Sequence, residues 1–426
     1  MFILIFRHMK KWIFLILFTS IGFKGWATSI LIAMDEEQQN HLKAYGIAFW
    51  ALQKGITVDW LLNYRGGSFL MTYQQAIEKE LKVRGVSYGV LPDAKVNLIL
   101  TEINNPEVNM EMVKLEKVPK IAVYSPKNKL PWDDAVTMVL SYAEIPYDVI
   151  YDEDIIGGKL ALYDWLHLHH EDFTGQYGRF WANYRNATWY QQDVALQEAT
   201  SKKLGFGKVS QMKLAVAEHI RDFCGGGGFL FAMCSGTDSY DIALSAAGLD
   251  ICENMFDGDG IDAHAQSKLN FTQTFAFQNF KLDLNPNNYE FSDIDVTNIR
   301  QVERTRDFFT LFDFSAKWDV VPTMLTQNHE KVVKGFMGQT TAFKKSLLKP
   351  DVLVMGELKS ANEARYIHGE YGKGQWTFYG GHDPEDYQHI VGDPPTDLNL
   401  FPNSPGYRLI LNNILFPAAK KKKQKT

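Results

Sequence analysis

The chain has 426 residues, of which 46% are hydrophobic and 22% are charged, and its formal net charge is −6. A chain of this size and composition can bury a sizeable core and is long enough for more than one compact unit. Nucleic-acid-binding proteins need a basic surface, and this chain carries a net negative charge. We therefore expect no nucleic-acid partner.

The N-terminal segment has the order of a secretory signal peptide. A positively charged opening precedes the apolar run 12–18, and the small residues Gly25 and Ala27 follow at the spacing of a cleavage site. We therefore predict that residues 1–27 are removed, that the protein is exported to the periplasm or the extracellular space, and that no integral membrane span is left. A retained N-terminal anchor is the alternative.

Residues 28–118 are predicted to form an N-terminal α/β unit. Apolar runs and amphipathic spacing predict strands at 30–33, 58–62 and 96–100 and helices at 38–54 and 73–83. Strands that alternate with helices favour a mostly parallel sheet. In the turn after the second strand, Arg65 precedes two glycines and is a candidate to bind an anionic group of a substrate. A tight strand-to-helix turn without a ligand is the alternative.

A second and larger α/β stretch is predicted for residues 119–417. Its strands are predicted at 121–124, 147–151, 162–168, 352–355 and 375–379, and its helices at 133–143, 211–223 and 407–415. Two insertions interrupt it, an aromatic-rich one at about 171–208 and a β-rich one at about 265–325. A basic tail, 418–426, closes the chain.

The segment around Cys234 resembles a nucleophile elbow. Four glycines at 225–228 lead into an apolar run that ends on Cys234 between small residues, and a helical pattern at 240–247 follows. A strand, a sharp turn and a helix in this order expose the turn residue above a sheet and place N–H groups beside it. We expect Cys234 to be a nucleophile and the N–H of Ser235 to bind an oxyanion. A buried small residue at a strand end is the alternative.

Three segments of the second stretch resemble the class I glutamine amidotransferase-like family. They are 232–236, which resembles the family's cysteine elbow; 371–385, which resembles its late strand and histidine; and 404–413, which resembles its last helix. The resemblance implies a flavodoxin-like, mostly parallel sheet and a catalytic pair of Cys234 and His382. Glu385 follows His382 by three residues rather than two, so either Asp383 or Glu385 is expected to orient the imidazole.

The chain also resembles a group of exported proteins often labelled asparagine synthetase B, at 34–46 and 63–69. That label implies a glutamine-hydrolysing asparagine synthetase, although the loop 235–239 is one residue shorter than the S-G-G-x-D-S loop of such enzymes. We favour a thiol-dependent hydrolase or amidotransferase-like protein that acts on an amide or other acyl bond of a small molecule or peptide. A non-catalytic binding or scaffold protein on the same fold is the alternative from another class.

Histidines and acidic residues cluster at the end of the predicted strand 162–168. Ligands of open α/β sheets bind beyond the carboxyl ends of the strands, so His169, His170 and Glu171 are candidate substrate-binding residues. A metal site is the less favoured interpretation, because no H-E-x-x-H spacing accompanies the cluster. We accordingly expect neither a metal nor another cofactor.

The chain has three cysteines, Cys224, Cys234 and Cys252. In an oxidising compartment an odd number leaves one thiol unpaired within the chain. Cys224 and Cys252 flank the predicted elbow and could form a disulfide that leaves Cys234 free. The alternative is that all three are reduced and buried.

Overall fold

The computed structural model describes residues 27–128, 130–302 and 307–419, which form two β-sheets with helices packed on them. The strands are β1 (Ala27–Ile32), β2 (Val58–Leu62), β3 (Ser68–Thr72), β4 (Gly89–Pro92), β5 (Glu111–Leu115), β6 (Ile121–Tyr124), β7 (Asp148–Ile150), β8 (Trp165–Leu168), β9 (Phe229–Met233), β10 (Phe308–Leu311), β11 (Val332–Lys334), β12 (Phe343–Lys344), β13 (Leu353–Leu358), β14 (Glu363–Tyr371) and β15 (Gly374–Tyr379). The predicted signal segment, except Ala27, and the lysines of the basic tail lie outside the described residues.

The helices of the described residues vary from one turn to five. They are α1 (His41–Gln53), α2 (Gln75–Arg84), α3 (Asp93–Asn104), α4 (Ala135–Ala143), α5 (Asp152–Ile156), α6 (Trp181–Tyr184), α7 (Thr188–Lys203), α8 (Val209–Gly226), α9 (Ser235–Ser245), α10 (Asn254–Asp257), α11 (Ala265–Lys268), α12 (Thr297–Val302), α13 (Val320–Leu325) and α14 (Pro405–Leu415). Across these residues, no helix combines the length and the apolar character that a membrane crossing requires.

The N-terminal sheet has the strand order β4-β1-β3-β2-β5, and every neighbouring pair in it is antiparallel. The prediction of a mostly parallel sheet for this unit was therefore wrong. One of its expected strands, 96–100, lies inside α3, where Ile99 and Ile103 are buried one turn apart. A short apolar run fits a strand or a buried helix face equally well, and here the spacing of four residues decided for the helix.

The second sheet is mixed, with the order β11-β10-β13-β14-β15-β9-β8-β6-β7 and with β12 beside β14. Its parallel part is β15-β9-β8-β6-β7, and the strands on the β14 side pair antiparallel. The molecule is thus a mixed α/β protein. Because the five parallel strands point the same way, the residues that follow β8, β9 and β15 meet at one edge of the sheet.

The insertion at about 265–325 contains less β structure than its aromatic pattern predicts. Its only named strand among the described residues is β10, and 271–273 is a turn of 3₁₀ helix. Phe275, Phe277 and Phe280 are buried in loop segments that cover the helix side of the second sheet. Their alternation reflects packing on that core rather than strand geometry.

One hydrophobic core joins the two sheets through α1 and α14. Tyr45 of α1 donates a hydrogen bond from its hydroxyl to Asn412 Oδ1 of α14 at 2.5 Å. Arg408, also on α14, donates to the hydroxyl of Tyr45 at 3.0 Å and to the carbonyl of Met34 at 2.9 Å. The N-terminal unit therefore packs directly against the helix that follows the His382 segment.

Candidate functional site

Cys234 occupies the sharp turn between β9 and α9. Its backbone has φ 52° and ψ −143°, in the left-handed range that non-glycine residues rarely adopt. Its N–H donates to the carbonyl of Gly381 at 3.1 Å, which ties the turn to the end of β15. Gly236 comes so close to β8 that a Cβ there would lie 2.4 Å from the His169 carbonyl oxygen. The glycine in the motif is thus required by the close approach of the first turn of α9 to His169, the residue after β8.

Two backbone N–H groups, those of Ser235 and Gln339, donate hydrogen bonds to the Cys234 thiol sulfur. Burial has the larger effect and raises the pKa of Cys234 to about 12, and the donors offset part of that rise. The side chain is 1% exposed. In this closed form the thiol is neutral, and the two groups beside it are backbone N–H donors, the type that oxyanion sites use.

Two buried carboxyl groups lie near the thiol, and each contacts Thr340. Asp238 accepts from the Thr340 hydroxyl at 2.7 Å, and Asp295 accepts from the Thr340 N–H at 3.0 Å. Burial raises the pKa of Asp295 to about 6, and burial followed by the nearby Asp295 raises that of Asp238 well above its usual range. Their negative charge also raises the pKa of Cys234. These residues disfavour a resting thiolate.

His382 follows β15 and is fully buried. Its Nε2 lies 3.0 Å from Asp133 Oδ1, so the carboxylate that orients the ring is Asp133. Burial lowers the pKa of His382 well below its usual range, and the neighbouring His389, His170 and His169 lower it further. The ring is therefore neutral, and its Nδ1 is buried with no hydrogen-bond partner.

The structure places neither Asp383 nor Glu385 against the imidazole, which corrects both alternatives for the orienting group. Asp383 Oδ1 accepts from the hydroxyl of Tyr407 at 2.7 Å, and Glu385 accepts from the hydroxyl of Tyr387 at 2.7 Å. Asp383 is close enough to Asp133 to raise the pKa of that carboxyl, but burial is the larger cause of its rise to about 6.

Cys234 and His382 lie at the ends of neighbouring parallel strands, as the sequence predicts. Tyr379 of β15 pairs with Met233 of β9, so both residues leave the sheet at the same edge. In the described part of the chain, however, no hydrogen bond joins the thiol to the imidazole; the thiol accepts from Ser235 and Gln339 instead. A catalytic pair would require these two side chains to move together.

The predicted histidine cluster after β8 reaches His382. The ring centroids of His169 and His170 lie 4.6 Å and 4.2 Å from that of His382. His389, which the sequence analysis did not single out, stacks on His382 at 3.6 Å. The structure thus brings the predicted substrate-binding histidines and the predicted base together.

Asp134 holds two of the histidines from the other side. Its Oδ2 lies 3.4 Å from His167 Nε2 and 3.2 Å from His169 Nδ1, and its Oδ1 caps α4 through the N–H of Thr137. Burial opposes ionisation of Asp134, yet the charges and hydrogen bonds of His167 and His169 hold its pKa well below the usual range. His170 is held separately, with Nε2 2.9 Å from the carbonyl of Asp133.

Glu171 does not face the histidines. Its Oε2 accepts from the hydroxyl of Tyr151 at 3.4 Å and lies 3.8 Å from Lys213 Nζ, in a buried network with Asp152. Burial raises the pKa of Glu171 to about 8, although Lys213 opposes the rise. The structure therefore gives Glu171 a supporting position under the loop that follows β8.

Arg65 lies in a 3₁₀ turn between β2 and β3 of the N-terminal sheet. Its guanidinium pairs with Asp35 Oδ2 at 2.6 Å and with Glu37 Oε2 at 2.5 Å. The positive charge expected to bind an anion is thus met by two carboxylates of the chain itself. A cavity of about 750 Å³ lies nearby, with Asp35 and Glu37 in its wall, but Cys234 and His382 do not line it.

The three cysteines are free and buried, in agreement with the second alternative for them. Cys224 lies near the end of α8, and its thiol donates to the carbonyl of Gln375 in β15 at 3.6 Å. Cys252 lies at the other end of the sheet and donates to the carbonyl of Thr174 at 3.3 Å. The two thiols donate to different carbonyls, and the structure forms no disulfide between them.

Four residues of this site, Asp133, Gln339, Asp238 and Asp295, were not predicted from the sequence. Only Asp133 has a signal in the sequence, since an acidic residue at the start of a helix that follows a parallel strand lies at the carboxyl edge of the sheet. Gln339 reaches the thiol from a loop about 100 residues away in the chain, and no local pattern marks such a contact.

Comparisons with known proteins identify no family for this chain. No protein-family model matches it, and no curated protein matches it. Among solved structures, the Cytoplasmic Proteins STM3548 and STM1381 from Salmonella typhimurium are 13% and 14% identical, with TM-scores of 0.34 and 0.33; each alignment covers 71% of this chain and all of the other. Gan42B, a GH42 β-galactosidase, is 12% identical with a TM-score of 0.26, over 63% of this chain and 28% of its own. Likenesses this weak carry no argument about fold or function.

Proposed function

We propose that this protein is an exported thiol-dependent hydrolase or amidotransferase-like enzyme that acts on an amide or other acyl bond of a small molecule or peptide. Cys234 is its nucleophile and His382 its general base, on a sheet of the flavodoxin-like, class I glutamine amidotransferase-like type. The observation that carries the proposal is the left-handed Cys234 between β9 and α9, with two N–H donors aimed at its sulfur. A strained turn and converging donors are features of activated nucleophiles.

The reaction begins when the thiol transfers its proton to a nitrogen of His382 and the sulfur attacks the substrate carbonyl carbon. The N–H groups of Ser235 and Gln339, which now bind the sulfur, are free to bind the new oxyanion. Collapse breaks the acyl bond, and the imidazolium returns the proton to the leaving group. Water or another nucleophile then releases the acyl group from Cys234, while Asp133 holds the ring throughout.

The closed form has to open before a substrate can enter, because Cys234 is 1% exposed and His382 is fully buried. Two segments can provide the opening, the loop that carries Gln339 and the segment that carries His389. His389 has a side chain 12% exposed and lies between His382 and solvent. Opening on this side also lowers the burial that keeps the thiol protonated.

A second candidate function is ligand binding without turnover. It is favoured by the neutral thiol and by the two carboxyl groups, Asp238 and Asp295, that oppose its ionisation. In this case the elbow is a structural turn, and the edge of the sheet binds a ligand through its histidines.

Selective thiol labelling separates the two functions. The protein is treated with iodoacetamide at neutral pH, and the modified cysteines are mapped by mass spectrometry. Cys224 and Cys252 are internal controls, since both are buried with a raised pKa and both donate to carbonyls rather than accept N–H bonds. We expect Cys234 to react at least ~10-fold faster than either, and His382→Ala to remove most of that advantage.

Equal, slow labelling of all three cysteines in the folded protein would refute the nucleophile and support the binding function. Rapid labelling of Cys234 that His382→Ala leaves unchanged would refute the catalytic pair. Circular dichroism of His382→Ala checks that its fold is retained. His219→Ala is the matched control, because the His219 ring is exposed and its hydrogen bond goes to the carbonyl of Ala215 on its own helix.

A further inference from the structure

Three histidines bring their ring nitrogens together at the carboxyl edge of the second sheet. One nitrogen from each of His169, His170 and His382 lies within 4.8 Å of the other two. His169 and His170 stack with their ring centroids 3.9 Å apart, and both contact the ring of His382. Buried polar groups almost always have hydrogen-bond partners, so unpaired ring nitrogens in a buried cluster call for an explanation.

One nitrogen of each ring lies close to an oxygen atom, by a hydrogen bond for His170 and His382 and by proximity for His169. His169 Nδ1 lies 3.2 Å from Asp134 Oδ2, His170 Nε2 lies 2.9 Å from the Asp133 carbonyl, and His382 Nε2 lies 3.0 Å from Asp133 Oδ1. The other nitrogens of the two fully buried rings, His169 Nε2 and His382 Nδ1, have no hydrogen-bond partner. Histidines that bind a metal have this arrangement, with the second nitrogen donating to a carboxylate or a carbonyl.

We propose that His169, His170 and His382 bind a divalent transition-metal ion of the zinc type, with Asp133 and Asp134 orienting the rings. Neutral imidazoles suit this class of metal, and three of them leave a fourth position open for water or a ligand. Bonds of about 2.0–2.1 Å at tetrahedral angles place the ligand nitrogens about 3.3 Å apart. The rings therefore have to turn and draw closer on binding, and the partly exposed His170 is best placed to do so.

A second group of possible ligands lies elsewhere, at Asp250, Cys252 and Asp257. Its two carboxylates already pair with Lys208 Nζ, at 2.5 Å and 2.9 Å. A lysine ammonium at that point repels a cation, so the histidine site is the stronger of the two. Variants at Cys252 distinguish these sites by experiment.

The metal site goes beyond the proposed acyl chemistry and does not depend on it. The test uses the full protein, stripped with EDTA and dialysed, and then titrated with Zn²⁺ by calorimetry and with Co²⁺ by visible absorption. We expect one ion per chain and a cobalt spectrum typical of a site with nitrogen ligands. His170→Ala should weaken binding at least ~100-fold, and Asp133→Asn should weaken it about 10- to 100-fold as the loss of an orienting group does.

Cys252→Ala and His219→Ala are the controls and should bind Zn²⁺ as the parent does. No binding by the parent, or binding that Cys252→Ala abolishes and His170→Ala leaves intact, would overturn the proposal. If His170→Ala fails to fold, His170→Gln replaces it, since the glutamine amide fills similar space and is a poor zinc ligand. Cys234→Ala should retain the metal, so failure of the nucleophile and failure of the metal site give different results.

Discussion

Lys213 and Asp152 form a fully buried ion pair beneath the loop that carries the histidines. Lys213 Nζ lies 3.1 Å and 3.2 Å from the two carboxylate oxygens of Asp152, and it also donates to the hydroxyls of Tyr124 at 2.9 Å and Tyr151 at 3.1 Å. Both charged side chains have 0% exposure. The geometry satisfies the ammonium fully, and the loss of Lys213 leaves the Asp152 carboxylate buried without its cation.

Lys213→Met should destabilise the protein by about 3–5 kcal/mol, the cost of breaking a buried pair by removing one partner. That is a large share of the 5–15 kcal/mol by which proteins of ordinary stability are folded. The measurement is urea unfolding followed by circular dichroism, with the free energy extrapolated to water. Asp152→Asn should cost less, because Glu171 Oε2 still lies 3.8 Å from Lys213 Nζ in that variant.

The double variant, Lys213→Met with Asp152→Asn, tests the mechanism rather than the packing. Neither charge is then left unpaired. The loss of stability in the double variant should therefore be smaller than the sum of the two single losses, by about 2 kcal/mol. Lys203→Met is the control, since Lys203 pairs with Glu153 at the surface and its loss should change stability little. Additive single effects, or a Lys213→Met protein as stable as the parent, would refute this reasoning.

Two further predictions concern buried groups near the elbow helix α9. Burial raises the pKa of Asp241 from 3.8 to about 6, although the N–H groups of 275–277 donate to its carboxylate. The pKa of Asp241 is higher in the folded state than in the unfolded state, so the protonated carboxyl stabilises the fold. This stabilisation is full below pH 3.8 and is lost as the pH rises through about 6. Asp241→Asn should be less stable than the parent, and urea unfolding should show that this difference in stability becomes smaller as the pH rises between these values. A difference that does not change with pH would contradict the raised pKa of Asp241. Gly236→Ala should lower stability by about 1–3 kcal/mol, because its Cβ would meet the His169 carbonyl at 2.4 Å, whereas Gly226→Ala, with open space around it, should not.

The sequence was most informative where a local pattern determines the geometry. The glycines before β9 and the small residues around Cys234 predicted the turn, and the structure has it at that residue with a positive φ. The late strand before His382 was also predicted, and β15 ends where the histidine begins. These features depend on residues within about ten positions of one another, which is the range over which periodicity and turn chemistry act.

Long-range contacts could not be predicted in the same way. Asp133 reaches His382 across 249 residues, and strands of the N-terminal sheet pair antiparallel although helices separate some of them along the chain. The strand β14 (Glu363–Tyr371) was not predicted, because charged residues interrupt its sequence although most of its residues are buried. In each case the structure depends on a contact with a distant part of the chain, and local sequence patterns carry no information about such contacts.

His382 connects the two proposals, because each needs the same ring in a different state. Its Nε2 is hydrogen-bonded to Asp133 Oδ1, so only Nδ1 is left, buried and without a hydrogen-bond partner. That nitrogen can accept a proton from Cys234 or bind a metal ion, but a lone pair cannot do both at once. A metal-bound His382 would leave the thiol without its base, and the thiol is held by Ser235 and Gln339 in the closed form. In the closed structure the three histidines lie together while the thiol has no hydrogen bond to its base, so this form is closer to the metal site than to the catalytic pair.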